Sequence, residues 1–504
     1  MPARSVSCRS AFVASLVAAA LLAGCAVSDP YAGDPAARQM SADDAQAACL
    51  RRLQTLDSRV DAAGVRDAQT VRVDGYPFLR ADRYTVLVAP AGVDPARLAR
   101  AKVDRMAALD SEARRYEAAN LRVGADELAA IDRCRDQLLA AVQPQAEAVI
   151  GHARPPAAYS DALRVVGLYP LAQIPFSWAQ AAWEQTTRDL YATPFPDLPV
   201  TGKRVRYVPG DASGGGIAGW VPVSAHAAAA LRQPPLSPER AWQLVRQHAP
   251  VMVVQTAGDD DRIGTLAWRT SGGDLFVGAD SGLPASYARI AWSEVNGVAV
   301  TQIVYSFWFP ARPASHPLDA FSGRLDAILW RVTLDSAGRP LVYDSIHADG
   351  GFHMFFPTEN VRERPGPLEG GLDQTMFAPQ VVHSPAPGER VVVYVGAGDH
   401  NIERVAIDAP RPAPGEAYAI LDENQLRALP LPAASGGGTR SIYGPDGLVA
   451  GTERAQRFIY WPTGVPAAGQ MRQWGHHATA YVGRRHFDDP RLIDRYFTLA
   501  PAID

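Results

Sequence analysis

His347 and His353 bracket Ala348-Asp349-Gly350-Gly351-Phe352, a segment whose two glycines suit a tight reversal between Leu341–His347 and His353–Phe356. At the base of such a hairpin two imidazoles could chelate one metal ion. A third ligand is available from His400 or Asp399 in the turn Gly396-Ala397-Gly398-Asp399-His400, or from His383. Zinc held by three such ligands keeps an open position and can make hydroxide near neutral pH, as metal-assisted hydrolysis requires. Asp349 or Glu359 could then act as general base. The competing reading is a set of histidines that bond backbone carbonyls at turns. His-x5-His is not a tight zinc spacing, and the chain contains no His-Glu-x-x-His. Strand alternation also puts Asp344 and His347 on opposite faces, so no carboxylate–imidazole pair is expected between them.

A second concentration of charge lies near the C-terminus, where Arg472, Arg484, Arg485 and His486 could gather around a phosphate or carboxylate. The alternative is that they form solvated or ion-paired edges of a strand that closes the sheet. Period 2 separates His476 from His477, so that adjacent pair should not chelate. Gly210-Asp211-Ala212-Ser213-Gly214-Gly215-Gly216 approaches a serine-protease segment, but an alanine intrudes, and it is not Gly-x-Ser-x-Gly. Ser435-Gly436-Gly437-Gly438 lacks the Gly-Lys-Ser/Thr ending of a phosphate loop.

The elements that must position these residues divide by texture into an α+β chain. Residues 41–150 read as a helical domain, with amphipathic stretches at Pro95–Leu121 and Asp126–Val142 and one strand-like insert at Tyr84–Val88. Residues 151–235 are a linking region rich in Pro and Gly. It contains the uncharged run Val165–Trp183, which Gly167, Pro170 and Pro175 interrupt, favouring a buried or interfacial segment over a membrane span. At Ser237-Pro238-Glu239 a cap, a first-turn proline and a favourable charge start a helix that Pro250 ends.

Residues 236–410 then read as a larger antiparallel β-rich domain. Asn296-Gly297 joins Ala288–Val295 to Val298–Phe309 as a hairpin, and Ser336-Ala337-Gly338-Arg339 repeats the device. Thr301, Ile303, Tyr305, Phe307 and Phe309 line one face of a strand while Val304 and Trp308 are apolar on the other, so both faces should be covered. Residues 411–504 are expected to close this domain, with Leu492, Ile493, Tyr496 and Phe497 as the docking face of a short helix.

Cys49 shares a helical face with Leu53 and Leu56, and Cys134 lies at helical spacing from Ile131 and Leu138. An oxidising compartment would let the two bridge, closing a long loop for about 4–5 kcal/mol in the chain-entropy model. The alternative is two buried free thiols. Residues 1–24 carry Arg4 and Arg9, an uncharged run Ser10–Gly24 and the sequence Leu22-Ala23-Gly24-Cys25, the layout of a secretory leader. These residues resemble the lipobox of bacterial lipoproteins. The resemblance implies cleavage before Cys25, lipidation of that cysteine, and a chain held to a membrane through several acyl groups. Ala26 after the cysteine suggests, by the same analogy, transfer to the outer membrane, with the body facing the periplasm. Residues 25–40 would be the lipidated cysteine and a flexible spacer.

Composition is that of a globular protein, 47% hydrophobic and 20% charged, with a formal net charge of −4 that predicts no attraction to nucleic acid. Lys102 and Lys203 are the only lysines, and the arginines are scattered without a long basic run. Three functional classes remain. The first is a lipid-anchored envelope protein that binds a ligand or partner, such as an envelope protein or a glycan, without catalysis. The second is a zinc hydrolase built on the hairpin histidines. The third is a structural or assembly factor docking through Val165–Trp183. The first is the preferred reading.

Overall fold

A computed structural model describes residues 43–212, 217–221, 223–365, 372–408 and 413–500. The leader, Cys25, the lipobox and the spacer lie outside the described residues. The chain folds as α+β: helices come first, and a large sheet follows.

Asp43 starts helix α1 (Asp44–Ala62) by accepting from the backbone N–H groups of Ala45 and Gln46. Strands β1 (Val71–Val73) and β2 (Tyr76–Ala81) form a hairpin and lead into α2 (Arg83–Leu87). The strand-like insert expected at Tyr84–Val88 is therefore a helix. Asp82 caps its first turn through Thr85 N–H, and this local bond prevails over the β-branched residues. Helices α3 (Pro95–Leu121), α4 (Ala125–Val142) and α5 (Ala146–Ile150) complete the helical part. Its core gathers Leu53, Leu56, Phe78, Met106, Ile131 and Leu138. Cys49 and Cys134 are bridged, their Cα atoms 5.1 Å apart.

Helices α6 (Asp161–Val166) and α7 (Tyr169–Ala192) follow, parted at Gly167 and Leu168, and β3 (Lys203–Ala212) comes next. Helices α8 (Ala225–Ala230) and α9 (Pro238–His248) precede β4 (Val251–Thr256). Ser237 accepts from Arg240 N–H at the start of α9, as its sequence requires. Strands β5 (Thr265–Ser271) and β6 (Asp274–Asp280) pair as a separate ribbon. Then β7 (Ala285–Val295), β8 (Val298–Arg312), β9 (Gly323–Leu334), β10 (Pro340–His347) and β11 (Met354–Pro357) run as an antiparallel meander. Asn296 (φ 51°) and Gly297 (φ 73°) make the β7–β8 turn, both in the left-handed region that a two-residue hairpin of this kind needs.

After β12 (Val361–Glu363) come β13 (Arg390–Val395), β14 (Ile402–Asp408) and β15 (Glu416–Asp422). The ten-stranded sheet has the order β11-β10-β9-β8-β7-β15-β3-β4-β13-β14. It is mixed rather than wholly antiparallel: β15 lies parallel to both β7 and β3, and β13 parallel to β4. Two departures from the sequence reading follow. The linking region contributes β3 to the sheet, and the C-terminal region contributes β15 to its middle rather than only closing an end. Local patterning reveals that such segments are strands, but not which neighbours they take.

Both faces of the sheet are covered. Ile303, Tyr305, Phe307 and Phe309 of β8 enter one core, while Val304 and Trp308 enter another. The C-terminal region also carries the short ribbon β16 (Leu429–Pro430) and β17 (Thr439–Arg440), then α10 (Gln456–Tyr460), α11 (Leu492–Tyr496) and β18 (Phe497–Leu499). Leu492, Ile493, Tyr496 and Phe497 are buried against Val342 and Phe355, as their spacing predicts. Ion pairs join the helical part to this region: Arg83 bonds Asp488 at 3.1 Å and Arg427 bonds Glu112 at 2.9 Å, all four side chains being buried.

Candidate functional site

Asp326, on β9, is fully buried and lies opposite Phe309 of β8 in the sheet. The turn between β13 and β14 lays the His400 ring flat on Phe309, with centroids 3.9 Å apart and planes 6° apart. This places His400 Nδ1 2.9 Å from Asp326 Oδ2. The Nε2 atom lies 3.3 Å from Asp261 Oδ1, and Asp261 is itself fixed by the N–H groups of Ala257, Gly258 and Gly398. Arg454 donates to Asp326 at 3.3 Å and to the Leu325 carbonyl at 2.7 Å. From β10, His347 Nδ1 comes within 3.6 Å of Asp326 Oδ1, which is close but beyond a hydrogen bond.

The result is a buried chain of charge, Asp261, His400, Asp326 and Arg454, with His347 at its end. Burial opposes ionisation of Asp326, but Arg454 and the two histidines outweigh it and hold its carboxyl well below the usual range. Burial also disfavours the His400 cation, yet its bonds to Asp261 and Asp326 prevail and raise its pKa.

His353 belongs to a different cluster. Its Nε2 lies 3.0 Å from Asp344 Oδ2, and Arg331 donates to both oxygens of the same carboxylate. Burial pushes the His353 pKa down to about 3, the Asp344 bond offsetting only part of this. Among the described residues no group of three or more His, Cys, Asp and Glu is placed to hold a metal ion.

The ligand set foreseen for zinc is thus dispersed, and register explains why. Ser345 pairs with Met354, and the His347 N–H closes the turn on the Gly351 carbonyl, so His347 and His353 do not face one another. His347 and His400 converge on one carboxylate while His353 takes another. His383 is largely exposed and sits 3.9 Å from Glu359, at the surface. Glu359 accepts from Ser384 N–H, away from the histidine pairs. Asp344 and His347 do avoid each other, but strand pairing gives each a partner that sequence spacing could not reveal.

The foreseen anion site is also dispersed. Arg472 donates to the carbonyls of Pro466 and Ala467, Arg485 to those of Thr479 and Thr375, and Arg484 pairs with Asp161. His486 packs edge-on against Tyr159. Arg472 and Arg485 therefore hold irregular chain together, which patterning alone cannot distinguish from anion binding.

Asp349 remains at a cavity. The turn that carries it forms one wall of a space of about 230 Å³, faced by Phe176, Gln180 and Trp183 of α7 and by Tyr460 and Tyr481. Phe352 projects between Trp183 (5.5 Å), Phe321 (6.2 Å) and His347 (4.9 Å) and so links the cavity to the charged chain. Asp349 is buried and accepts from Gly351 N–H at 2.8 Å. Gly350 has φ 99°, and a Cβ there would lie 2.1 Å from the Ala478 carbonyl oxygen, so the turn docks on the C-terminal segment only because it is glycine.

Leu325, Phe352 and His400 have φ values of 53°, 58° and 53°, in the left-handed region that costs a non-glycine residue about 1–3 kcal/mol. All three adjoin Asp326 or the cavity. Strain of this kind persists where surrounding structure imposes it, and here it aims His400 at Asp326 and Phe352 at the cavity. Sequence reasoning found Asp349 and the histidines but missed Asp326, Asp261 and Arg454, whose only signal was charge within strand or turn patterning.

Among the described residues no hydroxyl or thiol is hydrogen-bonded to His347, His353 or His400. The site as built can hold protons within the fold and present an aromatic wall with a carboxylate and amides to a ligand. No family model matches this chain, and no curated protein or solved structure is significantly similar to it.

Proposed function

We propose that this chain is a lipid-anchored protein of the bacterial envelope that binds a glycan segment in the aromatic cavity, without catalysis. The observation that carries the reading is the composition of one small wall. Trp183, Phe352 and Tyr460 offer flat apolar faces, while Asp349, Gln180 and Gln374 offer hydrogen-bonding groups beside them. A sugar ring has the complementary chemistry: C–H groups on its faces stack on aromatic rings, and hydroxyls at its edge bond carboxylates and amides. Gln456 also lines this wall and is buried, its Oε1 without a hydrogen-bond partner among the described residues.

Anchoring rests on Leu22-Ala23-Gly24-Cys25, and the outer membrane, facing the periplasm, is the destination favoured by Ala26. Two measurements test the proposal separately. Metabolic labelling with radioactive palmitate should mark the wild-type protein and not Cys25→Ala, and equal labelling of the two, or of neither, would contradict the anchor. Purified protein should cosediment with cell-wall sacculi, and Trp183→Ala should abolish this. Equal sedimentation of the two proteins, or of neither, would contradict the glycan.

A further inference from the structure

Tyr169–Trp183, the first fifteen residues of α7, contain no charged side chain, and none of them is buried. A helix apolar on all sides is normally sheathed by core or lipid. This one is not. Phe176, Gln180 and Trp183, at helical spacing, face the cavity. On another face Leu171, Pro175, Trp178 and Ala182 recur at i, i+4, i+7 and i+11, and all are exposed, Leu171 at 66% and Trp178 at 70%.

The patch extends beyond the helix. Val165 and Leu168, just upstream, are exposed, as are Phe458 (76%) and Ile459 of α10. These parts adjoin: Phe176 packs on Tyr460 at 5.1 Å, and Gly167 lies so close to Pro462 that a Cβ there would approach it to 2.6 Å. Isolated exposed apolar residues need no explanation, but a contiguous set of this size marks a surface that meets something.

We infer that this face lies on the surface of a lipid bilayer, its apolar side chains seated at the headgroup boundary. No described helix is long and apolar enough to cross a membrane, so the helix lies on the surface rather than spanning it. The face is formed by outward helix surfaces of α7 and α10. Tryptophan beside aliphatic side chains suits the interfacial zone.

Reach is consistent with the same membrane that would hold Cys25, an argument that rests on the proposed lipidation, whereas the patch itself does not. Seventeen residues lie between Cys25 and Asp43 at the start of the described fold. Fully extended they span up to about 60 Å, against a radius of gyration of about 23 Å for a compact body of this length. A tether of that length lets faces well away from Asp43 meet the bilayer. Seated there, α7 brings the cavity it walls to the membrane surface.

The test uses a Cys25→Ala protein secreted behind a cleavable leader, which retains every described element and has no acyl chain. Flotation with phosphatidylethanolamine–phosphatidylglycerol vesicles should show binding that persists in 0.5 M salt, because the face is uncharged. Leu171→Ser with Trp178→Ser should weaken it at least about tenfold while circular dichroism and Tm stay unchanged. Absence of flotation, or flotation equal in the double variant, overturns the inference. So does a concentration-dependent dimer that the same substitutions dissolve, since a second copy would then cover the face. Failure of the lipid anchor is read independently, from palmitate labelling of the wild-type protein and the Cys25→Ala variant in cells.

Discussion

His400 and Asp326 meet 2.9 Å apart, with no water-exposed surface on either side chain, although they come from near opposite edges of the ten-stranded sheet, His400 from the turn after β13 and Asp326 from β9. The pair joins the two halves of the fold at a point where Asp261 and Arg454 also converge. Such a cluster is costly to assemble and costlier to break, because the charges left behind have no water to solvate them.

Asp326→Asn should therefore destabilise the protein by about 3–5 kcal/mol. The amide keeps the shape but leaves Arg454 and His400 without their counter-charge. Urea denaturation of the two proteins measures this directly. A change within about 0.5 kcal/mol, the range of ordinary surface substitutions, would show that the cluster does not hold the fold together.

Acid should destabilise the fold before the carboxylates titrate. Burial lowers His353 to about 3, and burial with Arg83 and Arg484 lowers His486 to about 3, while His248 is lowered by burial to about 4. Each is neutral in the fold at pH 5, whereas in the unfolded chain it binds a proton below about pH 6.5. The unfolded state thus takes up more protons, and stability present above pH 6.5 falls as pH drops toward the folded values. The slope is about 1.4 kcal/mol per pH unit for each histidine. His400 acts in the opposite sense in another window: its raised pKa supports the fold at low pH, and that contribution is lost as pH rises through its folded pKa. Urea midpoints should decline from pH 7 to pH 5, and a flat or rising profile would contradict the buried neutral histidines.

Gly350→Ala should separate the Asp349 turn from the C-terminal segment. The added methyl would meet the Ala478 carbonyl at 2.1 Å in a left-handed conformation, so one side must move. Lower Tm and faster proteolysis around residues 476–486 are expected, and an unchanged digestion pattern would mean that the contact is dispensable.

Much of this architecture is written in local pattern. The α3 helix begins at Pro95 and ends at Leu121 as its periodicity requires, Asn296-Gly297 turns where it should, and the cysteines bridge from facing helices. What depends on pairing was not legible. The parallel insertion of β15 follows from neighbours distant in sequence, whereas the helix at Arg83–Leu87 and the offset between His347 and His353 turn on a local cap and a local register that patterning does not fix. The same limit applies to the site: Asp349 stood out beside its glycines, but Asp326 acquires its meaning only when β8, β9 and the His400 turn are brought together.

The most direct test of glycan binding is isothermal titration of the protein with soluble disaccharide-peptide fragments of cell wall, in parallel with Trp183→Ala. A saturable isotherm with one site per chain, weakened at least about tenfold by the substitution, is the expected result. Absence of heat with well-folded protein, or equal binding by both proteins, would contradict a glycan site in this cavity.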